Sequence, residues 1–176
     1  MLCGTGFTLI EVILVSVLVG ILLVAAVPKF AQTSERLRVE HLTFEFAQLL
    51  RYAHERAVAQ GQTVVWAWNP AARRAQLYDV VESDSRIASA AIDERVARSA
   101  ALPEGITLRF ERAPDDVEGS VQCPDGVPTD ADCVHFFPDG TSDPTTLMLG
   151  LRELTYTVSV DGTTGQVVPS PGAPAR

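Results

Sequence analysis

Residues 12–27, VILVSVLVGILLVAAV, carry no charged side chain, and the apolar run extends back through Phe7–Ile10 across a single acid, Glu11. Nothing else in the sequence restricts the fold so strongly. A helix that is apolar on every side cannot lie on the surface of a water-soluble domain, so it must be buried in protein or lipid. Roughly 20 apolar residues cross a bilayer core of about 30 Å, a length that Phe7–Val27 meets. The acid is the difficulty. A carboxylate near the bilayer centre costs roughly 2.5 to 3.5 kcal/mol on insertion scales, so an intramembrane acid calls for a partner.

Three readings compete for this segment. A secretory signal peptide finds a small-residue cleavage site at Val24-Ala25-Ala26, but the preceding MLCGTG has no Lys or Arg and Glu11 interrupts the apolar region. A plain single-span anchor accounts for the hydrophobicity and leaves Glu11 unexplained. The third reading accounts for both. Gly6-Phe7-Thr8-Leu9-Ile10-Glu11 followed by an apolar run resembles the leader of type IV pilins and of the pseudopilins of type II secretion. The resemblance implies that prepilin peptidase cuts after Gly6, removing a leader of residues 1–6, and methylates the new amino terminus at Phe7. Glu11 then becomes the fifth mature residue. Gly20 and Pro28 stand where that family has a helix-loosening glycine and a kink-forming proline. The leader departs from the family pattern in lacking a basic residue before its glycine.

Electrostatics supports the resemblance. Cleavage leaves a cationic amine on Phe7, which meets a carboxylate most strongly where the dielectric is low. Within one helix, positions 7 and 11 share a face; the family model instead pairs the acid of an incoming subunit with the amine of its neighbour. Breaking a buried pair strands a charge at about 3 to 5 kcal/mol. Glu11 is therefore expected to act in assembly.

Beyond Pro28 the chain keeps a helical rhythm. Phe30, Leu37, Leu42, Phe46, Leu49, Ala53 and Ala57 recur at near-helical spacing among Arg36, Glu40, Arg51, Glu55 and Arg56. Leu42, Phe46 and Leu49 are expected to be core residues, Arg51 and Glu55 an i,i+4 pair worth a few tenths of a kcal/mol, and Gly61 the helix stop. The whole helix would run over 7–60, with a transmembrane part at 7–28 and a bend at Pro28.

The period then changes. Strands are expected at Thr63–Trp68 and Ala75–Val81, joined through Asn69-Pro70, then at Ile106–Glu111, Val134–Phe137, Thr145–Leu151, Leu154–Val160 and Gln166–Val168. Residues 85–101 read equally as a short helix or as a loop ending in an edge strand. Short strands separated by turns imply a sandwich-like domain over 61–168, and the tail 169–176, PSPGAPAR, is expected to be disordered. The fold class is α+β, a long N-terminal helix packed on an antiparallel β-sandwich-like domain. Val134–Ser142, with Thr145, Leu147, Leu149, Thr155–Val160 and Thr164–Val167, resembles the GspH/FimT group of minor pseudopilins and minor pilins. That resemblance implies a type IV pilin-like fold.

Cysteine and charge fit export. Cys3 would leave with the leader, and Cys123 and Cys133 remain. A disulfide closing so short a loop outside the cytoplasm would contribute about 2 to 3 kcal/mol on the chain-entropy account; two reduced thiols are the alternative. The net charge of -8 falls entirely on residues 113–176, where only Arg152 and Arg176 oppose ten acids. This disfavours nucleic acid as a partner. Asp115, Asp116, Glu118, Asp125, Asp130, Asp132 and Asp139 lack EF-hand spacing, and His41, His54 and His135 lack a metal-ligand pattern. No phosphate loop or nucleophile elbow occurs, so neither an enzyme nor a cofactor is expected. The resemblance implies a subunit of the inner membrane with its globular domain in the periplasm, drawn into the tip region of a pseudopilus. Its partners would be membrane lipid, prepilin peptidase, the inner-membrane assembly platform, other minor pseudopilins and the major pseudopilin. A FimT-like minor type IV pilin, for pilus priming or DNA uptake, is the alternative, and a secreted β-sandwich binding protein is a third class.

Overall fold

A computed structural model describes residues 8–83, 86–93, 97, 99, 101–112 and 123–172, with the side chains of 24–33, 81–83, 86–88 and 112 outside the description. Among the described residues one helix and eight strands follow in order: α1 Leu9–Gln60, β1 Val64–Asn69, β2 Arg74–Ser83, β3 Arg86–Ala91, β4 Thr107–Arg112, β5 Asp132–Phe136, β6 Thr145–Leu151, β7 Leu154–Val160 and β8 Val167–Pro171. The chain divides at residue 38 into two compact units. The first is the leading part of α1. The second contains the rest of α1 and every strand.

In the second unit, α1 is helical because its apolar side chains fall on one face and find a core there. Val39, Leu42, Phe46, Leu49, Leu50, Ala53 and Ala57 are all buried, as expected for Leu42, Phe46 and Leu49. Leu37, a member of the expected series that lies in the first unit, is 60% exposed. It lies five residues before Leu42, an interval that rotates it off the buried stripe. The helix ends at Gly61, whose φ of 65° only glycine adopts freely. There the Gln62 N–H closes the end on Ala57 O at 3.2 Å, a Schellman-type stop.

Two four-stranded antiparallel sheets face this helix, in the orders β3-β2-β1-β5 and β4-β6-β7-β8. Phe46 packs against Trp66 and Trp68 of β1, with ring centroids 6.0 and 5.9 Å apart, and Trp66 meets Phe110 of β4 at 5.9 Å. One continuous core therefore joins the helix to both sheets. In β6 and β7 every second residue is buried, the pattern of strands with one wet face. The β1–β2 turn is set by Asn69, whose Oδ1 accepts from Ala72 N–H at 2.8 Å. The segment whose reading was open begins as the edge strand β3.

The tail differs from expectation. β8 continues through Pro171, pairing Val158 with Pro169 and Tyr156 with Pro171; residues 173–176 lie outside the described residues. Proline is tolerated there because β8 is an edge strand with only one neighbour.

A second, smaller core lies around Val65 and Ala67, with Val127 and Cys133. The loop that closes it is stapled: Cys123 and Cys133 are joined in a disulfide, with Cα atoms 5.6 Å apart. Gly126, at φ 101°, lies so close to Ser89 that a Cβ there would come within 2.8 Å of the Ser89 carbonyl oxygen.

Candidate functional site

Gly6 and Phe7, the expected cleavage and methylation positions, lie outside the described residues, as does the amine that cleavage would create. α1 begins immediately after them. The carbonyl of Thr8 accepts from the N–H groups of Glu11 and Val12 at 3.1 and 3.3 Å, which places Thr8 at the cap and Glu11 in the first turn. A carboxylate there faces the positive end of the helix dipole, worth about 0.3 to 1 kcal/mol. The Thr8-x-x-Glu11 spacing matches a capping box, a signal that sequence reasoning missed.

Around the acid the helix has no polar face. The large apolar side chains from Leu9 to Leu23 are 48 to 80% exposed, and Ser16 turns its hydroxyl back to Val12 O at 2.7 Å, satisfying it within the helix. A Cβ on Gly20 would meet nothing within 4 Å. Among the described residues no basic group pairs with Glu11, and no helix is long and apolar enough to cross a membrane. The helical backbone runs unbroken through Pro28.

In the second unit the polar groups are structural. Arg56 grips Asp79 of β2 with Nε–Oδ1 at 3.0 Å and Nη2–Oδ2 at 2.8 Å, and the Asp79 hydrogen bond raises its pKa further above the ordinary arginine value. The guanidinium stays charged at any pH the protein meets. Arg51 does not serve the expected pair with Glu55. Its Nε and Nη2 donate to Val167 O of β8 at 3.3 and 3.0 Å, because the strand brings a carbonyl within reach.

The three histidines are placed separately: His41 is exposed on α1, His54 Nε2 lies 3.1 Å from Gly140 O, and His135 Nδ1 lies 2.8 Å from Asp143 Oδ2. Among the acids considered for a cation, Asp115, Asp116 and Glu118 lie outside the described residues. Asp139 instead accepts from the Thr141 hydroxyl and N–H at 2.7 and 3.0 Å. No cluster of three or more potential metal ligands occurs among the described residues.

Arg73 was not singled out from the sequence. With φ 49°, it donates from Nε to Leu102 O at 3.0 Å and from Nη2 to Pro103 O and Ile106 O at 2.9 and 2.8 Å. It thereby fixes the approach to β4. No local signal marks such a role, since the carbonyls it binds are some thirty positions away.

The model of the family "Type II transport protein GspH" matches residues 43–164, most of the chain. No curated protein matches it significantly. Among solved structures, the minor pseudopilin EpsH from the type 2 secretion system of Vibrio cholerae superposes with TM-score 0.54 at 17% identity, covering 76% of this chain and 96% of that one. The type IV minor pilin FimU of Pseudomonas aeruginosa gives 0.52 at 15%, covering 79% and 92%, and E. coli GspH in solution gives 0.52 at 15%, covering 78% and 90%. At these identities the superpositions establish the type IV pilin-like fold.

Proposed function

The chain belongs to the GspH family of type II transport proteins, and from that premise we propose that it is a minor pseudopilin of a type II secretion system, working near the tip of a periplasmic pseudopilus that drives folded proteins across the outer membrane. Its relatives are structural subunits, and it is likewise no enzyme. On this reading the leader 1–6 is removed after Gly6 by prepilin peptidase, and Phe7 is methylated. Residues 7–28 hold the protein in the inner membrane, 7–60 form the assembly helix with Pro28 as its kink, and 61–171 form the periplasmic domain. The assembly platform draws the subunit into the filament among the major and other minor pseudopilins.

The observation that carries this reading is a helix apolar on all sides, with one acid in its first turn, leading into a domain of this family. Such a surface is stable only when lipid or other helices cover it. The same helix passes between those two environments if Glu11 meets the Phe7 amine of a neighbouring subunit. Glu11→Ala is then expected to leave a stable, membrane-held protein that is missing from isolated pseudopili. Incorporation at the wild-type level would contradict the function given to the acid.

The likeness to FimU favours one other reading, a FimT-like minor type IV pilin for pilus priming or DNA uptake. Against its DNA-binding form, the last strand and tail carry no basic residue except Arg176. Deleting the gene separates the two systems: loss of secreted proteins with pili intact supports the pseudopilin, and loss of pili with secretion intact supports the pilin.

A further inference from the structure

The two sheets have four terminal strands, β3, β5, β4 and β8. The unpaired N–H and C=O groups of an edge strand are a template for another strand unless something blocks them. Three of these edges are blocked, each differently. On β3, the Ser89 N–H and hydroxyl both donate to Asp125 O of the disulfide loop at 2.8 Å. On β5, Asp143 N–H donates to His135 O at 3.0 Å, Asp143 Oδ2 accepts from His135 N–H at 2.8 Å, and Phe136 bridges to Ser142. On β8, Gly172 N–H donates inward to Thr155 O at 2.9 Å. By the two-residue alternation of a strand, positions 169 and 171 then face outward, and both are prolines without an N–H to offer.

Among the described residues nothing covers β4 in this way. Among the described residues it pairs only with β6, from Thr107 opposite Gly150 to Arg112 opposite Thr145. Burial agrees. Leu108 and Phe110 pack on the core yet stay only half-buried, whereas the inward residues of β5 and β6, Val134, Phe136, Leu147 and Leu149, are fully buried. The core is therefore left incomplete along one rim, next to a strand whose start is held by Arg73.

We propose that β4 is an association edge that pairs antiparallel with β4 of a second copy, about a two-fold axis at Phe110. In this register Phe110 lies opposite Phe110, and exposed Arg109 of each copy lies opposite exposed Glu111 of the other. A strand beyond β4 covers the half-buried Leu108 and Phe110. Moving the axis by one residue sets Arg109 against Arg109 or Glu111 against Glu111, so charge selects the register. The proposal does not depend on whether the subunit serves secretion or a pilus.

The test is sedimentation equilibrium of the full chain in detergent micelles, with Arg109→Glu, Glu111→Arg and the double exchange. Because both side chains are exposed, thermal midpoints should match wild type and confirm folding. Each single change turns two attractive pairs into repulsive ones, which should weaken the dimer roughly tenfold. The double exchange, and an equimolar mixture of the two single variants, should recover it. A chain monomeric at every concentration, single variants that dimerise as tightly as wild type, or a double exchange that fails to recover would each overturn the proposal. Association through the apolar helix would fall in the second class, since it ignores these charges.

Discussion

Gly165 shows how tightly single residues are fixed where α1 meets the strand connections. It sits at φ 63°; a Cβ there would overlap the His54 ring at Cδ2 and come within 2.8 Å of Gly140 O. Gly165→Ala is expected to destabilise the fold by about 1 to 3 kcal/mol, read as a lowered midpoint in urea. Two nearby carboxylates give a pH dependence. Asp139 is held below its ordinary pKa first by the Thr141 hydroxyl, and Asp161 first by the Thr164 hydroxyl, with backbone N–H groups adding to each. A depressed folded-state pKa means that each turn contributes its stability above the unfolded value of 3.8 and loses it as pH falls through the lower folded value. The Thr141 and Thr164 amide resonances should therefore hold steady down to about pH 4 and move below it. Such contacts were not legible in the sequence. Arg51 was expected to meet Glu55 four residues on, and it meets a carbonyl 116 positions away; local spacing cannot anticipate a partner that only the folded strand order delivers.

Elements were far more legible. The boundaries of β6 and β7 follow directly from alternation and from the turn signals beside them, and the buried stripe of α1 from its helical period. β8 runs three residues past the expected Val168, because on an outer edge Pro169 and Pro171 are compatible with pairing and block further strands. The loop between Cys123 and Cys133 was legible as a staple, but not as a cover. Its position over Val65 and Ala67 and its hydrogen bonds to Ser89 appear only when β3 and β5 lie at opposite edges of one sheet. Reducing the disulfide with a dithiol should release the loop, so hydrogen exchange at the Ser89 amide should rise while β6 and β7 stay protected. Unchanged protection at Ser89 would mean that the loop holds without its staple.

At the scale of the whole molecule, two surfaces have different requirements. The folded unit buries its own core around Phe46 and Trp66, whereas the leading helix exposes apolar side chains all round, with Glu11 in its first turn. The fold class was legible because a continuous apolar run, then an amphipathic period, then strand alternation leave few other arrangements. In the proposed function, assembly rests on a shorter stretch, Gly6 to Glu11, whose chemistry would be completed only when a new amine is made beside an acid. The most direct measurement is mass spectrometry of the amino terminus of the protein isolated from its native cells. The account predicts a chain beginning at N-methylated Phe7; a chain beginning at Val27, or one retaining residues 1–6, would contradict it.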